Sequence, residues 1–303
     1  MERRDFLKYL FSAGVCFSCA SSKNSYTQKD DKNDKKWPTG HIAIPVCYHC
    51  NLNCAYCNHF SPIAPKYEMP VEVFERDLAQ LKKISNNKIS RISLLGGEPL
   101  LHKNIKELIK ILNRYFPENE KRITTNGLLL KDMDDDFWRV CKENNIIFKY
   151  SPYAAVKNYK NLEKEIQKLS KKYDIEIRKY TDDVYDFELM NLSKKTSKND
   201  ENKYETCEKK YACPLLDNGK LYPCEVIGSI RFFNNYFKEY AIPTTKNDYL
   251  DIYKISSIDE IYEFFNKPKD FCKYCSFGHN IKKAPWKLSN KEVDEWYDIN
   301  KKG

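Results

Sequence analysis

The chain lacks long apolar runs, since no stretch of its 303 residues holds 18 consecutive apolar side chains. A helix needs about 18 such residues to cross a bilayer, so the sequence predicts no stable membrane span. It also lacks an Arg-rich stripe, a Gly-aromatic RNA motif and an internal repeat, although the formal net charge is +9. The basic residues are mostly lysines spread through helix-like segments, which is typical of a solvated surface. We therefore expect no nucleic-acid partner.

The composition is that of a packed globular protein, with 41% hydrophobic and 14% aromatic residues. From residue 41 onward, short apolar runs alternate with amphipathic segments, a pattern that predicts βα units and a parallel sheet. Pro45 is unexpected within the first strand, because proline removes a hydrogen-bond donor and prefers sheet edges. The predicted strands are Ile42–Val46, Ile89–Leu95, Arg122–Thr125, Ile146–Tyr150 and Ile175–Lys179, with Val184–Met190 as a sixth candidate.

The alternation stops near residue 195, which divides the chain into segments of different character. We predict a core over residues 41–195 and a smaller unit over residues 204–303. Before the core, residues 1–20 begin with Arg3-Arg4 and continue through Phe6-Leu7 into a short apolar stretch, which matches a twin-arginine export signal. Residues 21–40 are polar and are interpreted as a linker.

The twelve cysteines are clustered, and their short spacings favour metal binding over disulfides. Cys50, Cys54 and Cys57 directly follow the first predicted strand in a C-x3-C-x2-C pattern. Three thiolates can hold three irons of a cubane cluster and leave the fourth iron open to another ligand. Cys47 and Cys50 form a competing C-x2-C pair. This pair and the pair Cys54 and Cys57 lie too close together for the four ligands of a zinc ribbon. We interpret Cys47 as a strand residue.

The other predicted strands also end in glycine or polar residues. The second ends in Gly96-Gly97-Glu98-Pro99, the third in a Thr-Thr-Asn-Gly run that contains Asn126, and the fourth in Ser151-Pro152. Reactive groups of a parallel α/β sheet gather beyond the carboxyl ends of its strands. The sequence therefore predicts one site along this rim.

The cysteine loop, with Tyr56 before its last cysteine, and the Gly-Gly-Glu-Pro strand end together resemble the radical S-adenosylmethionine (radical SAM) superfamily over residues 42–180. The resemblance implies an α/β fold with a partial (β/α)6 TIM-like barrel. It also implies a catalytic [4Fe-4S] cluster on the three cysteines, and a 5′-deoxyadenosyl radical made by reductive cleavage of SAM. Its implied SAM-binding residues are Tyr56, Gly96, Gly97, Glu98, Pro99, Asn126 and Ser151.

A second cysteine group resembles the C-terminal auxiliary-cluster extension of some radical SAM enzymes, either a twitch form or a truncated SPASM domain. A full SPASM domain has seven cysteines, so the five found here imply one auxiliary [4Fe-4S] cluster with Cys207 or Cys213 to spare. A structural zinc site is the alternative. Cys141 is expected to be a buried helix residue. His49 and His59 flank the cysteine loop and are expected to be polar surface residues, with tuning of the cluster as the alternative. The group consists of Cys207, Cys213, Cys224, Cys272 and Cys275.

The resemblance implies two kinds of partner: a flavodoxin- or ferredoxin-like low-potential electron donor, and a substrate of the peptide, sugar or alcohol class. The supply of SAM and electrons favours a cytoplasmic location, whereas the twin-arginine-like segment favours export, and the sequence leaves both open. A non-catalytic iron–sulfur or zinc metalloprotein is the competing interpretation. Nothing in zinc binding, however, requires Gly-Gly-Glu-Pro at a strand end.

Overall fold

The computed structural model describes residues 40–153, 156–180, 184–196, 203–207, 209–276 and 282–299. The predicted signal segment, and Cys16 and Cys19 within it, lie outside these residues. No helix in the described part of the chain is long and apolar enough to cross a membrane.

Ten strands and seven α-helices make up this part of the chain. The strands are β1 (His41–Cys47), β2 (Arg91–Gly96), β3 (Glu120–Thr125), β4 (Ile146–Tyr150), β5 (Ile177–Lys179), β6 (Asp186–Glu188), β7 (Leu215–Asp217), β8 (Lys220–Tyr222), β9 (Leu250–Asp251) and β10 (Lys283–Pro285). The helices are α1 (Val71–Ser85), α2 (Ile105–Tyr115), α3 (Asp135–Glu143), α4 (Tyr159–Tyr173), α5 (Lys203–Thr206), α6 (Glu225–Tyr236) and α7 (Ile258–Asn266).

Eight of these strands form one sheet in the order β5-β4-β3-β2-β1-β7-β8-β9. The strands from β5 to β7 in this order are parallel, and β8 and β9 continue the sheet antiparallel. Successive parallel strands are joined through helices, as in a partial TIM-like barrel. The predicted α/β architecture is confirmed, and the first five predicted strands are present with end shifts of one or two residues.

The sixth candidate strand is placed differently from the prediction. Within Val184–Met190 only β6 is a strand, and it pairs antiparallel with β10 in a separate two-stranded sheet. The sixth parallel strand is β7, which lies beside β1 at the opposite side of the barrel from β5. Local pattern could not predict this, because β7 is only three residues long and gains its place through a long-range pairing of Leu215 with Ala43.

Pro45 lies in an internal strand rather than at an edge. The pairing of β1 with β2 shifts register between Pro45 and Cys47, and β1 pairs with β7 at Ala43. The missing donor of Pro45 therefore falls where the ladder is already irregular, which is where proline is tolerated in a sheet.

The two faces of the parallel strands have different chemistry. Ile42, Ile44 and Val46 of β1 join the main core with Ile92 and Leu94 of β2. Helices α1 to α3 cover this face with their apolar sides, as the sequence spacing predicts. The opposite face, which lines the inside of the barrel, carries the residues that build the site.

Candidate functional site

Cys50, Cys54 and Cys57 line one cavity at the carboxyl ends of the parallel strands. The ends of β2 and β3 and the residue after β4 complete its wall, through Gly96-Gly97, Thr124–Asn126 and Ser151. Among the described residues, no three His, Cys, Asp or Glu side chains converge as the ligands of one metal ion do. The irons of a cubane occupy separate corners, so its cysteines bind at separate points.

Hydrogen-bond donors surround the thiols of the cysteine loop. The Leu52 N–H lies 3.4 Å from the Cys50 sulfur, and the Asn126 amide nitrogen lies 3.6 Å from the same atom. The indole N–H of Trp286 donates to the Cys54 sulfur at 3.2 Å. Such donors stabilise thiolate character and tune the potential of an iron–sulfur cluster.

Burial opposes this effect and keeps the free thiols protonated. It raises the pKa of Cys50 to about 12, with the Glu98 charge adding to the rise. Burial also raises the pKa of Cys54 and of Cys57, against the N–H groups that lower both. Metal binding must therefore displace protons from the loop, which makes metal affinity fall as the pH falls.

Gly96 and Gly97 allow the end of β2 to press against the start of the cysteine loop. A Cβ on Gly96 would lie 2.0 Å from the Cys47 carbonyl oxygen, and Gly96 has a φ of +133°. A Cβ on Gly97 would lie 2.0 Å from the His49 carbonyl oxygen. The backbone N–H of Gly97 donates to Cys47 O at 2.9 Å, and that of Glu98 donates to His49 O at 3.0 Å. The glycines therefore fix the position of the loop while their own backbone lines the cavity.

The Glu98 carboxylate points away from the cavity and toward β3. It accepts hydrogen bonds from the Thr125 hydroxyl at 2.7 Å, from the Asn126 N–H at 2.8 Å and from the Leu100 N–H at 3.1 Å. Burial raises its pKa to about 7, and these three bonds act against the rise. The side chain joins the ends of β2 and β3, so any contact of this motif with a ligand in the cavity falls to the glycine backbone.

The remaining predicted SAM-binding residues divide into two groups. Asn126 and Ser151 line the cavity with the cysteines. The Asn126 amide also donates to the Asn51 side chain at 2.7 Å. Tyr56 and Pro99 are not among the residues that line it: Tyr56 has a φ of +64° and lies under the Lys287 ammonium, and the buried Pro99 begins a short 3-10 helix. Their predicted contacts with SAM remain predictions.

A C-terminal segment, residues 286–289, lies across the cysteine loop. Lys287 O accepts the Ala55 N–H at 3.0 Å, and Asn53 O accepts the Ser289 N–H at 2.9 Å. Leu288 forms an isolated bridge with Cys54. No local pattern predicts this cover beyond a tryptophan near the end of the chain, because its pairing spans more than 230 residues.

Four of the five C-terminal cysteines form a group, and one lies apart. Cys224, Cys272 and Cys275 pack in one apolar cluster, and burial raises the pKa of Cys272, with Cys275 and Cys207 adding to the rise. Burial also raises the pKa of Cys207 and of Cys224. Cys213 instead is disulfide-bonded and packs beside Ala43, Leu95 and Leu215. The four grouped cysteines could bind the separate irons of a cluster, whereas no three of the described side chains converge as the ligands of a zinc ion do.

The two cysteine groups are joined by the residues that follow them. The side chain of Asn58, next to Cys57, donates to the Glu225 carboxylate, next to Cys224, at 2.8 Å. The Trp296 indole donates to the Cys57 carbonyl at 3.0 Å. Phe60 and Cys275 share one apolar cluster with Trp296. Buried side chains therefore fill the space between the cysteine loop and the second cysteine group and connect the two.

The surface prediction for His59 is wrong, that for His49 is only partly right, and the helical cysteine is as predicted. His59 lines the cavity and is 6% exposed, because the turn after Cys57 folds inward, and burial lowers its pKa to about 4. His49 is half-buried, with its ring 3.3 Å from Tyr67 O. Cys47 ends β1, and Cys141 is buried in α3. Sequence reasoning missed Asn58, Glu225 and Trp286, which no local motif marks.

A rim of cysteines, glycines and polar groups at the carboxyl ends of a partial barrel defines a cofactor-dependent enzyme. Residues 44–179 match the model of the Radical SAM superfamily. These residues form a radical SAM domain, and the cofactors of that superfamily are a [4Fe-4S] cluster and SAM. Enzymes of this superfamily require an electron donor and a substrate.

Two similar proteins are named GTP 3′,8-cyclase. That of Clostridium botulinum strain Langeland is 26% identical over 285 residues, which cover 87% of this chain and 85% of the relative. That of Campylobacter jejuni subsp. doylei is 34% identical over 106 residues, and the match covers 35% of this chain and 32% of the relative. Among solved structures, BtrN in complex with AdoMet and 2-DOIA is 18% identical, with a TM-score of 0.48 over 78% of this chain and 92% of BtrN.

The residues present fit these cofactors. Iron–sulfur clusters are bound by cysteine thiolates and tuned by N–H donors, and both are present around one cavity. The same cavity has side-chain-free backbone at Gly96-Gly97 and an amide at Asn126, which suit the polar end of a small ligand.

Proposed function

We propose that Cys50, Cys54 and Cys57 hold the [4Fe-4S] cluster and that the chain uses it with SAM to abstract hydrogen from a substrate. When bound, the cluster supplies one electron that breaks a sulfonium C–S bond of SAM, and the 5′-deoxyadenosyl radical takes the hydrogen atom. The observation that carries the proposal is the single cavity shared by the three thiols and the ends of β2 and β3.

The protein side chains have binding, orienting and shielding roles in this proposal. The backbone of Gly96-Gly97 and the side chains of Asn126 and Ser151 bind SAM from the strand ends. Glu98 holds the ends of β2 and β3 at a fixed distance, through its bonds to Thr125 and Asn126. The C-terminal segment, residues 286–289, covers the cysteine loop and limits access of water and oxygen to it.

The second cysteine group is proposed to hold an auxiliary [4Fe-4S] cluster on Cys207, Cys224, Cys272 and Cys275, with Cys213 outside the set. This choice is supported by proximity: burial raises the pKa of Cys224 and of Cys272, and the neighbouring cysteines of the same four add to each rise. The electron donor is proposed to be a flavodoxin- or ferredoxin-like protein. In this view residues 41–195 form the catalytic core, and residues 204–303 complete its sheet and carry the auxiliary site.

The substrate is proposed to belong to the peptide, sugar or alcohol class. A nucleotide is a second candidate, because the similarity to a GTP 3′,8-cyclase extends over most of both chains. GTP is therefore the first defined compound to be tested as a substrate.

The test is anaerobic reconstitution followed by measurement of 5′-deoxyadenosine after addition of SAM and dithionite. We expect release of 5′-deoxyadenosine by the wild type and by Cys141→Ala, which removes a thiol from α3, but none by Cys54→Ala. Deuterium transfer from labelled substrate into 5′-deoxyadenosine then identifies the substrate. Equal release by the wild type and Cys54→Ala would contradict the proposal. Zinc in place of iron would favour the non-catalytic alternative.

A further inference from the structure

The inside of the partial barrel carries basic residues where barrels usually pack branched apolar side chains. Arg91 of β2, Arg122 of β3 and Lys149 of β4 lie on this inner face, and His41 of β1 lies beside Arg91. Arg122 and Lys149 are 5% and 7% exposed. Burying three cations together is costly unless counter-charges accompany them.

Two of these cations lie beneath the floor of the cysteine cavity. Arg122 precedes the cavity residue Thr124 by two positions, and Lys149 precedes Ser151 by two. Side chains two positions apart point to the same face of a strand, at a spacing of about 6.6 Å. Arg91 lies further from the cavity, at the first residue of β2, where it is half-buried and in register with Glu120 of β3.

The described residues supply too little negative charge to balance these cations. Glu120 pairs with Arg122, which leaves Arg91 and Lys149 without an ion pair among the described residues. The Lys149 ammonium instead lies 5.1 Å from the centre of the Tyr180 ring. On β5, Arg178 already has an ion pair with Glu176.

Two buried guanidinium donors also have no hydrogen-bond partner in the described part of the chain. They are the Nε atoms of Arg91 and Arg122. Buried polar donors are satisfied in most native proteins, so unpaired ones point to an absent ligand. His41 adds no charge, because burial and the Arg91 charge lower its pKa well below the ordinary value, and its ring bonds the Ser93 hydroxyl at 2.9 Å.

We propose that Arg91, Arg122 and Lys149 form an anion-binding site inside the barrel that takes a phosphate group. The excess of two positive charges over Glu120 matches a dianion, and guanidinium groups bind phosphate oxygens with directed hydrogen bonds. The site lies beneath the cavity that contains the proposed SAM-binding residues. Free phosphate and the phosphate of a nucleotide share this chemistry.

The experiment measures binding of inorganic phosphate to the full chain by titration calorimetry at constant ionic strength in potassium chloride. We expect about one phosphate per wild-type chain and at least tenfold weaker binding by Arg122→Gln and by Lys149→Gln. Lys164→Gln, which removes one exposed lysine from α4, is the matched control and is expected to bind as the wild type does. If Arg122→Gln fails to fold, Lys149→Gln carries the comparison.

Competition separates the two sources of phosphate. Displacement of bound phosphate by GTP at a 1:1 ratio assigns the site to a nucleotide. No displacement assigns it to free phosphate. Both outcomes support the existence of the site. Absence of saturable binding by the wild type would overturn the proposal. So would equal affinities of Lys149→Gln and the wild type. None of these readouts requires SAM cleavage, so they are independent of the proposed function.

Discussion

At the scale of single residues, Glu98 shows how a charged side chain within a binding motif can have a structural role. Its carboxylate is fully buried and accepts three hydrogen bonds, one from Thr125 at the end of β3 and one from the next residue, Asn126. Only the neighbouring glycine backbone faces the cavity. The negative charge also raises the pKa of Cys50, so Glu98 affects the cysteine loop without lining the cavity.

Glu98→Gln is expected to destabilise the fold by about 1–3 kcal/mol, since the amide nitrogen would face a donor and leave it unpaired. SAM affinity should fall as well, because the ends of β2 and β3 lose their connection. Urea unfolding and equilibrium dialysis measure the two effects. Glu143→Gln, at an exposed position in α3, serves as the control. A fully stable Glu98→Gln protein would refute the structural role.

Trp286→Phe is expected to make the reduction potential of the catalytic cluster more negative, because it removes the N–H donated to the Cys54 sulfur. A redox titration followed by electron paramagnetic resonance gives this potential. Trp296→Phe is the matched control, since that indole donates to a carbonyl oxygen and not to a sulfur. Identical potentials for the wild type and Trp286→Phe would argue against the hydrogen bond.

At the scale of elements, the contact between the end of β2 and the cysteine loop tolerates no side chain. Gly97→Ala is expected to destabilise the protein by about 3 kcal/mol, because its Cβ would meet the rigid backbone oxygen of His49. Gly228→Ala in α6 is the control, since its Cβ would meet the movable end of Leu215. Thermal unfolding of both variants tests the difference. Equal melting temperatures would contradict it.

The strands and their order from β1 to β5 follow from local pattern, because apolar runs such as Ile146–Tyr150 are bounded by clear turn signals. The cysteine loop and the Gly-Gly-Glu-Pro end are likewise visible in sequence. The place of β7 beside β1, the cover over Cys54 and the bond between Asn58 and Glu225 could not be predicted. Each joins residues more than 160 positions apart, and neither periodicity nor spacing encodes such pairings.

At the scale of the whole molecule, the C-terminal part of the chain extends the barrel's own sheet. Asp217 of β7 accepts a hydrogen bond from Tyr48, just before the cysteine loop, at 2.9 Å. The second cysteine group therefore forms part of a continuous structure with the cysteine loop. Electron transfer between two such clusters would not require domain motion.

Cys224→Ser is expected to lower the iron content from about eight to about four atoms per chain, because it removes one of four proposed auxiliary ligands. Cys213→Ser, the control, should retain about eight, since Cys213 is disulfide-bonded and supplies no thiolate to the group. Iron and sulfide analysis after anaerobic reconstitution distinguishes the two. Loss of iron from Cys213→Ser alone would reassign the ligand set.

Lys149→Met is expected to stabilise the phosphate-free protein at neutral pH. Burial, followed by the Arg122 charge, lowers the pKa of Lys149 in the fold from 10.5 to about 8. The unfolded chain therefore binds this proton more tightly, so the wild type loses stability as the pH falls from 10.5 to 8 and no further below that. Urea unfolding of both proteins between pH 7 and 10 measures the gap, which should narrow as the pH rises. A gap independent of pH would refute this account.

The cover formed by residues 286–289 has a consequence for the order in which the enzyme is assembled. A ribosome releases the cysteine loop long before it releases Trp286, so the nascent polypeptide presents uncovered thiols to the cell's iron–sulfur donors. Once the last residues are made, they dock over Asn53–Ala55 and cover the cysteine loop. We therefore expect delivery of iron to be easiest during translation, and a late-refolded chain to resist loading.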